Sequence, residues 1–265
     1  MTLAPFGWLL WTAGHELPRL ASGTFPYLWP LGDPYLWLAL RNTLGLTAVA
    51  VTIELAAGCG LALLFRGRLP GSGGMRFVIL VPMMCSPLLV GLFWKFMFDQ
   101  VFGVATWLLA LGLGDRPSVL TSTAAALGAI VVVDVWQWTP LVFLLCTAGL
   151  QGMPPEQEEA AILERASPWR RLHRLVLPHL KPALALAGLY RGIDAMRMFD
   201  LVYILTGGGP GDSTVTLPLL VYRQGFQFFD AGKAAILALL LLVLVNGLVA
   251  LALRRIDRRP AAAIA

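Results

Sequence analysis

"EEAAILERASPWRRLHRLVLP", residues 158–178, gathers three glutamates, four arginines and a histidine in a chain where only 13% of residues are charged. The rest of the 265 residues are mostly apolar: 58% are hydrophobic, more than a water-soluble surface tolerates. The chain therefore reads as one polytopic membrane domain, and the charged stretch as a place where it leaves the bilayer. The net charge of +5 lies in a few loops. That distribution sets orientation in a membrane, and no nucleic-acid-binding module is visible. Cys59, Cys85 and Cys146 lie in or beside apolar runs and read as small hydrophobes, not a disulfide frame.

Locally the stretch has the marks of two short helices. Pro154 and Pro155 suit a helix start, and Glu156, Glu158 and Glu159 follow in the first turns, where carboxylates oppose the dipole. Ser167 before Pro168 is a second start, with Arg170, Arg171, His173 and Arg174 toward the far end. Helix, corner and second helix result, with Ala160, Ala161 and Leu163 as a small, close-approach surface. A solvated loop that fixes topology is the plain reading. A docking element is the sharper one, because about thirty residues with their own caps exceed what topology requires.

Outward from this stretch, five segments are apolar enough over about 20 residues to span a bilayer: 43–65, 76–98, 123–148, 183–205 and 234–253. The opening "MTLAPFGWLLWTAG" lacks a basic start and reads as a partial or interfacial helix. The first connecting loop, the 151–182 stretch and the tail hold twelve lysines and arginines, against six in the alternate loops. The charged stretch and the carboxyl terminus are therefore expected in the cytoplasm.

The stretch resembles the cytoplasmic signature loop of permease subunits from ATP-binding-cassette importers: Glu159, Ala160 and Ala161 match its head, Leu177 and Pro178 its end. The family's glycine falls on Arg165, between Glu164 and Ala166. There a left-handed corner would cost about 1 kcal/mol, or the chain must turn differently. "DVWQWTPLVFLLCTAGLQGMPPEQEEAA" (134–161), "FDLVYILTGGGPGDSTVTLPLLVYRQGF" (199–226), "LRNTL" (40–44) and "GLFWKFMFD" (91–99) are similar to segments of carbohydrate-type permeases. The resemblance covers about residues 36–255, and "LTGGGP" resembles one of the two partner permeases in maltose-like and glycerol-phosphate-like importers. It implies an all-α transmembrane bundle of the type I importer kind and an ATPase-docking loop at about 151–182, with Glu159 as polar anchor. The implied partners are a second permease, two cytoplasmic ATPases, an extracytoplasmic solute-binding protein and a carbohydrate or polyol substrate. No cofactor is expected. The sequence has no phosphate-cradling Gly-x-x-x-x-Gly-Lys-Ser/Thr loop, and the pair Gly232–Lys233 is followed by Ala234.

Charged groups inside spans are costly. Glu54, Asp134 and Asp194 each lie eleven residues into their segments and Asn246 twelve, so helical rise puts all four near one depth. Arg191 and Arg197 flank Asp194 at three residues either side, with Tyr190 adjacent and Trp136, Gln137 and Trp138 just past Asp134. The functional reading is a carbohydrate path, with indole faces against sugar rings. The structural alternative is a self-satisfied ladder of Asp194 with Arg191 and Arg197, with the tryptophans packing. Within 216–230, Leu217, Tyr222 and the phenylalanines read as a short interfacial helix with Arg223 and Gln224 toward water.

Two other classes compete. An intramembrane enzyme finds support in Glu54, Asp134 and Asp194, but His15, His173 and His179 lie outside the central spans and form no metal motif. An ion-coupled secondary carrier would use the buried carboxylates as proton sites and work without an ATPase.

Overall fold

The computed structural model describes residues 32–67, 72–113 and 118–257, together with Gly7 and Trp11. Apart from those two residues, the expected amino-terminal helix lies outside the described residues, as do Arg19, Arg68, Arg116, Arg258 and Arg259. The described residues are helical throughout, joined by turns.

Helix α1, Pro34–Leu64, starts where Asp33 accepts a hydrogen bond from the Tyr35 backbone N–H at 2.9 Å and proline takes the first turn, a position that needs no N–H. Helix α2, Ser72–Leu80, runs into a 3-10 turn at Val81–Met84, and α3 is Pro87–Met97. The expected span 76–98 is therefore broken, with a bend of 99° between its halves. Its cause is local: Pro87 lacks the N–H that would continue the helix and holds Ser86 in an extended conformation. Helix α4, Val104–Leu113, precedes α5, Thr123–Gln151. Helices α6, Pro155–Leu163, and α7, Pro168–Arg171, form the charged stretch. A π-helical turn at Leu172–Val176 then leads straight into α8, Leu177–Met196.

The expected span 183–205 needs correcting as well. It starts earlier, stops at Met196, and resumes only as α9, Asp200–Leu205. With His179, Lys181, Arg191 and Asp194 along it, α8 is too polar to count as a span by composition. Helix α10, Leu217–Tyr222, passes through a second π turn, Arg223–Gln227, before α11, Ala231–Asp257. Among the described residues three helices are long and apolar enough to cross a membrane (α1, α5 and α11), or four if the bent pair counts as one span. Of the five expected segments, 43–65, 123–148 and 234–253 correspond to these three helices and 76–98 to the bent pair, while 183–205 is not among the candidates.

Helices α1, α5 and α8 form the centre. Two apolar cores fill it. One joins Leu36, Ile130, Val133, Leu205 and Leu217; the other joins Phe65, Val142, Phe143, Cys146, Val176 and Leu180. The α1–α5 contact is close because Gly58 has no side chain: a Cβ there would stand 2.6 Å from Val142 Cβ and 2.8 Å from the Phe143 backbone nitrogen.

The glycine-rich turn after α9 is tied to the start of α1. Asn42 Nδ2 donates to the Ser213 and Val215 carbonyls at 2.8 and 2.9 Å, and Thr43 Oγ1 accepts from the Leu217 N–H at 2.8 Å. Arg223 does not point to water as expected. It donates to Asp212 Oδ1 at 2.6 Å and to the Gly207 carbonyl at 2.9 Å, bracing the turn from the other side.

Replacing Gly58 with valine should force α1 and α5 apart and destabilise the protein by about 1–3 kcal/mol, as overpacking does. Gly60, with nothing within 4 Å of a Cβ, is the control. In detergent, Gly58→Val is expected to lower the thermal unfolding midpoint and Gly60→Ala to leave it unchanged.

Candidate functional site

Between the two cores lies a cluster of four charges from three helices. Arg191 on α8 has no exposed surface. Its Nε and Nη2 donate to the two carboxylate oxygens of Glu54 on α1, at 2.7 and 2.8 Å. Nη2 also reaches Asp134 Oδ2 on α5 at 2.9 Å, and Nη1 reaches Asp194 Oδ2, one turn along α8, at 2.5 Å. The indole of Trp138 covers the guanidinium, with Cζ 4.7 Å from the ring centroid. Planarity makes arginine suited to this: its fork bonds one carboxylate side-on and has N–H groups left for two more. Formally, one cation faces three anions.

The cluster opens on one side. Glu54 and Asp134 are buried, whereas the Asp194 side chain keeps 34% of its surface. With Gln137, Trp138 and Arg197 it lines a small cavity of about 100 Å³, continued by Phe199 and Asp200. Gln137 Nε2 donates to the Cys85 carbonyl at 3.1 Å, an acceptor freed by the break between α2 and α3.

Three expected members of the polar layer stand elsewhere, and a fourth lines the cavity without joining the ion pairs. Asn246 is exposed on α11 and bonds its own helix, Nδ2 to the Leu242 carbonyl at 2.8 Å. Tyr190 is exposed, turned about 100° from Arg191 by the helical step. Trp136, two residues past Asp134, is turned away and meets Trp94 edge to face at 5.5 Å. Arg197 corrects the symmetric ladder: α8 ends at Met196, so Arg197 is its capping residue, exposed, and in no ion pair among the described residues.

The charged stretch is outside the bundle. No residue of α6 is buried, and Ile162, Leu163 and Trp169 are exposed. Arg165 sits at φ 53°, in the left-handed region that favours glycine. The corner closes with the Arg165 N–H bonded to the Ile162 carbonyl at 2.9 Å and the Ala166 N–H to the Ala161 carbonyl at 3.0 Å, the paired pattern that ends many helices. Ser167 then caps α7, accepting from the Arg170 N–H at 3.3 Å. Glu159, Ala160, Glu164 and Pro178 are exposed, while Ala161, Ala166 and Leu177 are half-buried. Glu158, not singled out as a docking residue from the sequence, pairs with Arg66 just beyond α1.

The fold has a counterpart among solved chains. It superimposes on a solved chain of a bacterial ABC transporter involved in import of the acidic polysaccharide alginate, with a TM-score of 0.84 over 97% of this chain and 89% of that chain, at 18% identity. The chain belongs to the family of binding-protein-dependent transport system inner membrane components, whose profile matches residues 54–261. It is 36% identical to the probable ABC transporter permease protein y4oQ of Sinorhizobium fredii, over 90% of this chain and 76% of that relative. It is also 36% identical to the trehalose/maltose transport system permease protein MalF of Thermococcus litoralis, over 83% and 74%. A third relative is the trehalose transport system permease protein SugA of Mycobacterium tuberculosis, 35% identical over 91% and 78%. Membership decides against the enzyme and the ion-coupled carrier. The chain is a multi-pass inner-membrane subunit of an ABC importer, a complex with a binding protein and a separate ATPase.

Removing one partner of a buried ion pair costs about 3–5 kcal/mol because the others are left uncompensated. Arg191→Met strands three carboxylates and should sharply reduce folded protein in the membrane. Glu54→Gln keeps the shape and one of the two acceptors, and leaves Asp134 and Asp194 to balance the guanidinium, so it should cost clearly less. Size-exclusion recovery after detergent extraction measures both.

Proposed function

We propose that this chain is one of two different permeases in an importer for a carbohydrate or polyol, driven by two cytoplasmic ATPases and fed by an extracytoplasmic solute-binding protein. The observation that carries the reading is the elbow α6–α7. It is fully formed, started by proline in both helices, capped by Ser167 at the second and closed by a left-handed Arg165, yet it buries none of its first helix and presents Ile162, Leu163 and Trp169 to the outside. An ordered element with an uncovered apolar face calls for a partner. A groove on the ATPase is the partner, with Glu159 as polar anchor and Ala160 and Ala161 allowing close approach.

The substrate class follows from relatives named for trehalose, maltose, sn-glycerol-3-phosphate and sulfoquinovosyl glycerol transport, and from the chemistry of the cavity. Trp138 offers an aromatic face, and Asp194 and Gln137 offer groups that bond hydroxyls. Glu54, Asp134 and Arg191 hold these groups in place from behind. Five crossings are proposed: α1, the bent pair α2–α3, α5, the α8–α9 pair and α11. Twelve basic residues in the elbow's set of loops place that elbow and the carboxyl terminus in the cytoplasm.

Co-purification from the native membrane, followed by solute-stimulated ATP hydrolysis in reconstituted vesicles, tests the reading. Wild-type protein should bring an ATPase with it; recovery of none would overturn the proposal. Glu159→Lys should reduce the recovered ATPase and the stimulated rate while solute capture by the isolated binding protein is unchanged.

A further inference from the structure

Helix α1 carries an ionic link near its middle and another just past its end. Glu54 takes Arg191 of α8, and Arg66, in the turn that follows Leu64, takes Glu158 of α6. The two α1-side residues are twelve positions apart, roughly 18 Å along a helix. Nothing interrupts α1 between Pro34 and Leu64. Its end is fastened again where Arg76 Nη2 donates to the Phe65 carbonyl at 3.0 Å.

On the elbow side there is little else to hold on to. No residue of α6 is buried, and among the described residues its pair with Arg66 is the one side-chain bond from α6 to another helix or its flanking turn. Arg66 also lies 4.0 Å from the sulfur of Met153, a buried residue just before α6. The elbow's other connections are the backbone: α6 follows α5 after only Gly152, Met153 and Pro154, and α7 continues through its π turn into α8, which carries Arg191. A displaced elbow therefore pulls α5 and α8 directly, whereas α1 is joined to it through Arg66.

We propose that Arg66 is a positioning residue for energy coupling: its pair with Glu158 makes α1 follow the elbow, so that Glu54 and Arg191 move as one body. The inference rests on the reading of the elbow as the ATPase seat. If α8 moved alone, the Glu54–Arg191 contact at 2.7 Å would have to stretch inside the membrane, where an unpaired charge is most costly. The link at Arg66 removes that conflict. Because both partners are partly exposed, at 27% and 35%, the pair adds little to folding stability, and its loss should leave an assembled importer that couples poorly.

A plainer account has Arg66 fixing topology by its charge alone. Glu158→Arg separates the two, since it adds positive charge to the same side yet breaks the pair. The experiment uses the full importer in vesicles, with spin labels at Leu64→Cys and Gln157→Cys, both exposed positions, and the exposed Cys85 changed to serine. Pulsed electron paramagnetic resonance reads the 64–157 separation without nucleotide and with ATP and vanadate. In otherwise wild-type protein the separation should be the same in both states. In Glu158→Arg it should differ by about 2–5 Å, the scale of a helix shift, with ATP hydrolysis stimulated by the binding protein down about fivefold. The swapped pair Arg66→Glu with Glu158→Arg should restore both. Should Glu158→Arg fail to assemble, Arg66→Gln removes the pair without reversing a charge and should give the same loosening. A separation that changes equally in wild type, or a swap that restores neither readout while the ATPase stays bound, overturns the proposal. Loss of the ATPase from wild-type complexes overturns the docking reading itself, and is seen separately as a missing band.

Discussion

A guanidinium with no solvent contact, deep in an apolar bundle, has to be held on every side. Arg191 is held by Glu54 from α1, Asp134 from α5 and Asp194 from its own helix, and covered by Trp138. Apolar side chains alone would let these helices slide or rotate, since lipid tails and leucines are equivalent partners. Carboxylates that must meet one arginine allow a single rotation and a single height for each helix. The two cores then fill around that point, one toward Leu36 and Leu217, the other toward Phe65 and Leu180. Close approach at Gly58 follows from the same constraint, because Glu54 can reach across to α8 only if α1 also lies against α5.

The cluster is asymmetric, and its asymmetry makes it a candidate for more than a rivet. Glu54 satisfies Arg191 side-on and is sealed. Asp194 is bonded through one oxygen and faces the cavity with Gln137 and Arg197. A solute there meets a carboxylate already fixed by its partner, which lowers the ordering cost of recognition. The break between α2 and α3 contributes too. It frees the Cys85 carbonyl that orients Gln137, so an interruption caused by proline ends up placing a polar group in the cavity wall.

Much of this was legible in the sequence, and the rest failed for identifiable reasons. Counting residues from the span starts put Glu54, Asp134 and Asp194 at one height, and they do share Arg191. The same count added Asn246, and the spacing gave Arg197 the same role as Arg191. Height along a helix follows from residue number, but rotation about the axis and the point where the helix stops do not. Asn246 is on the exposed side of α11, and α8 ends one residue before Arg197. Prolines at 82 and 87 stood inside the expected second span, yet apolar content alone joined what they separate. The resemblance at "LRNTL" has no local reason. Its reason is long-range: Asn42 and Thr43 bond a turn more than 170 positions away, which no local pattern reveals.

Arg165 shows how a departure from a family pattern is absorbed. Left-handed backbone costs a non-glycine residue about 1 kcal/mol, and the chain adopts it all the same, at φ 53°. The corner is over-determined: two backbone hydrogen bonds close it, Ser167 caps the next helix, and Pro168 fixes the direction of departure. A turn specified by so many neighbours tolerates one residue's strain because each alternative would give up several bonds to relieve it. Stiffness at this corner matters because the helix beyond it is the one that reaches Arg191. Were the corner soft, a displacement of α6 would be lost in the turn. As built, α7, its π turn and α8 follow one another without a gap, leaving the π turn as the place where that helix can adjust its register.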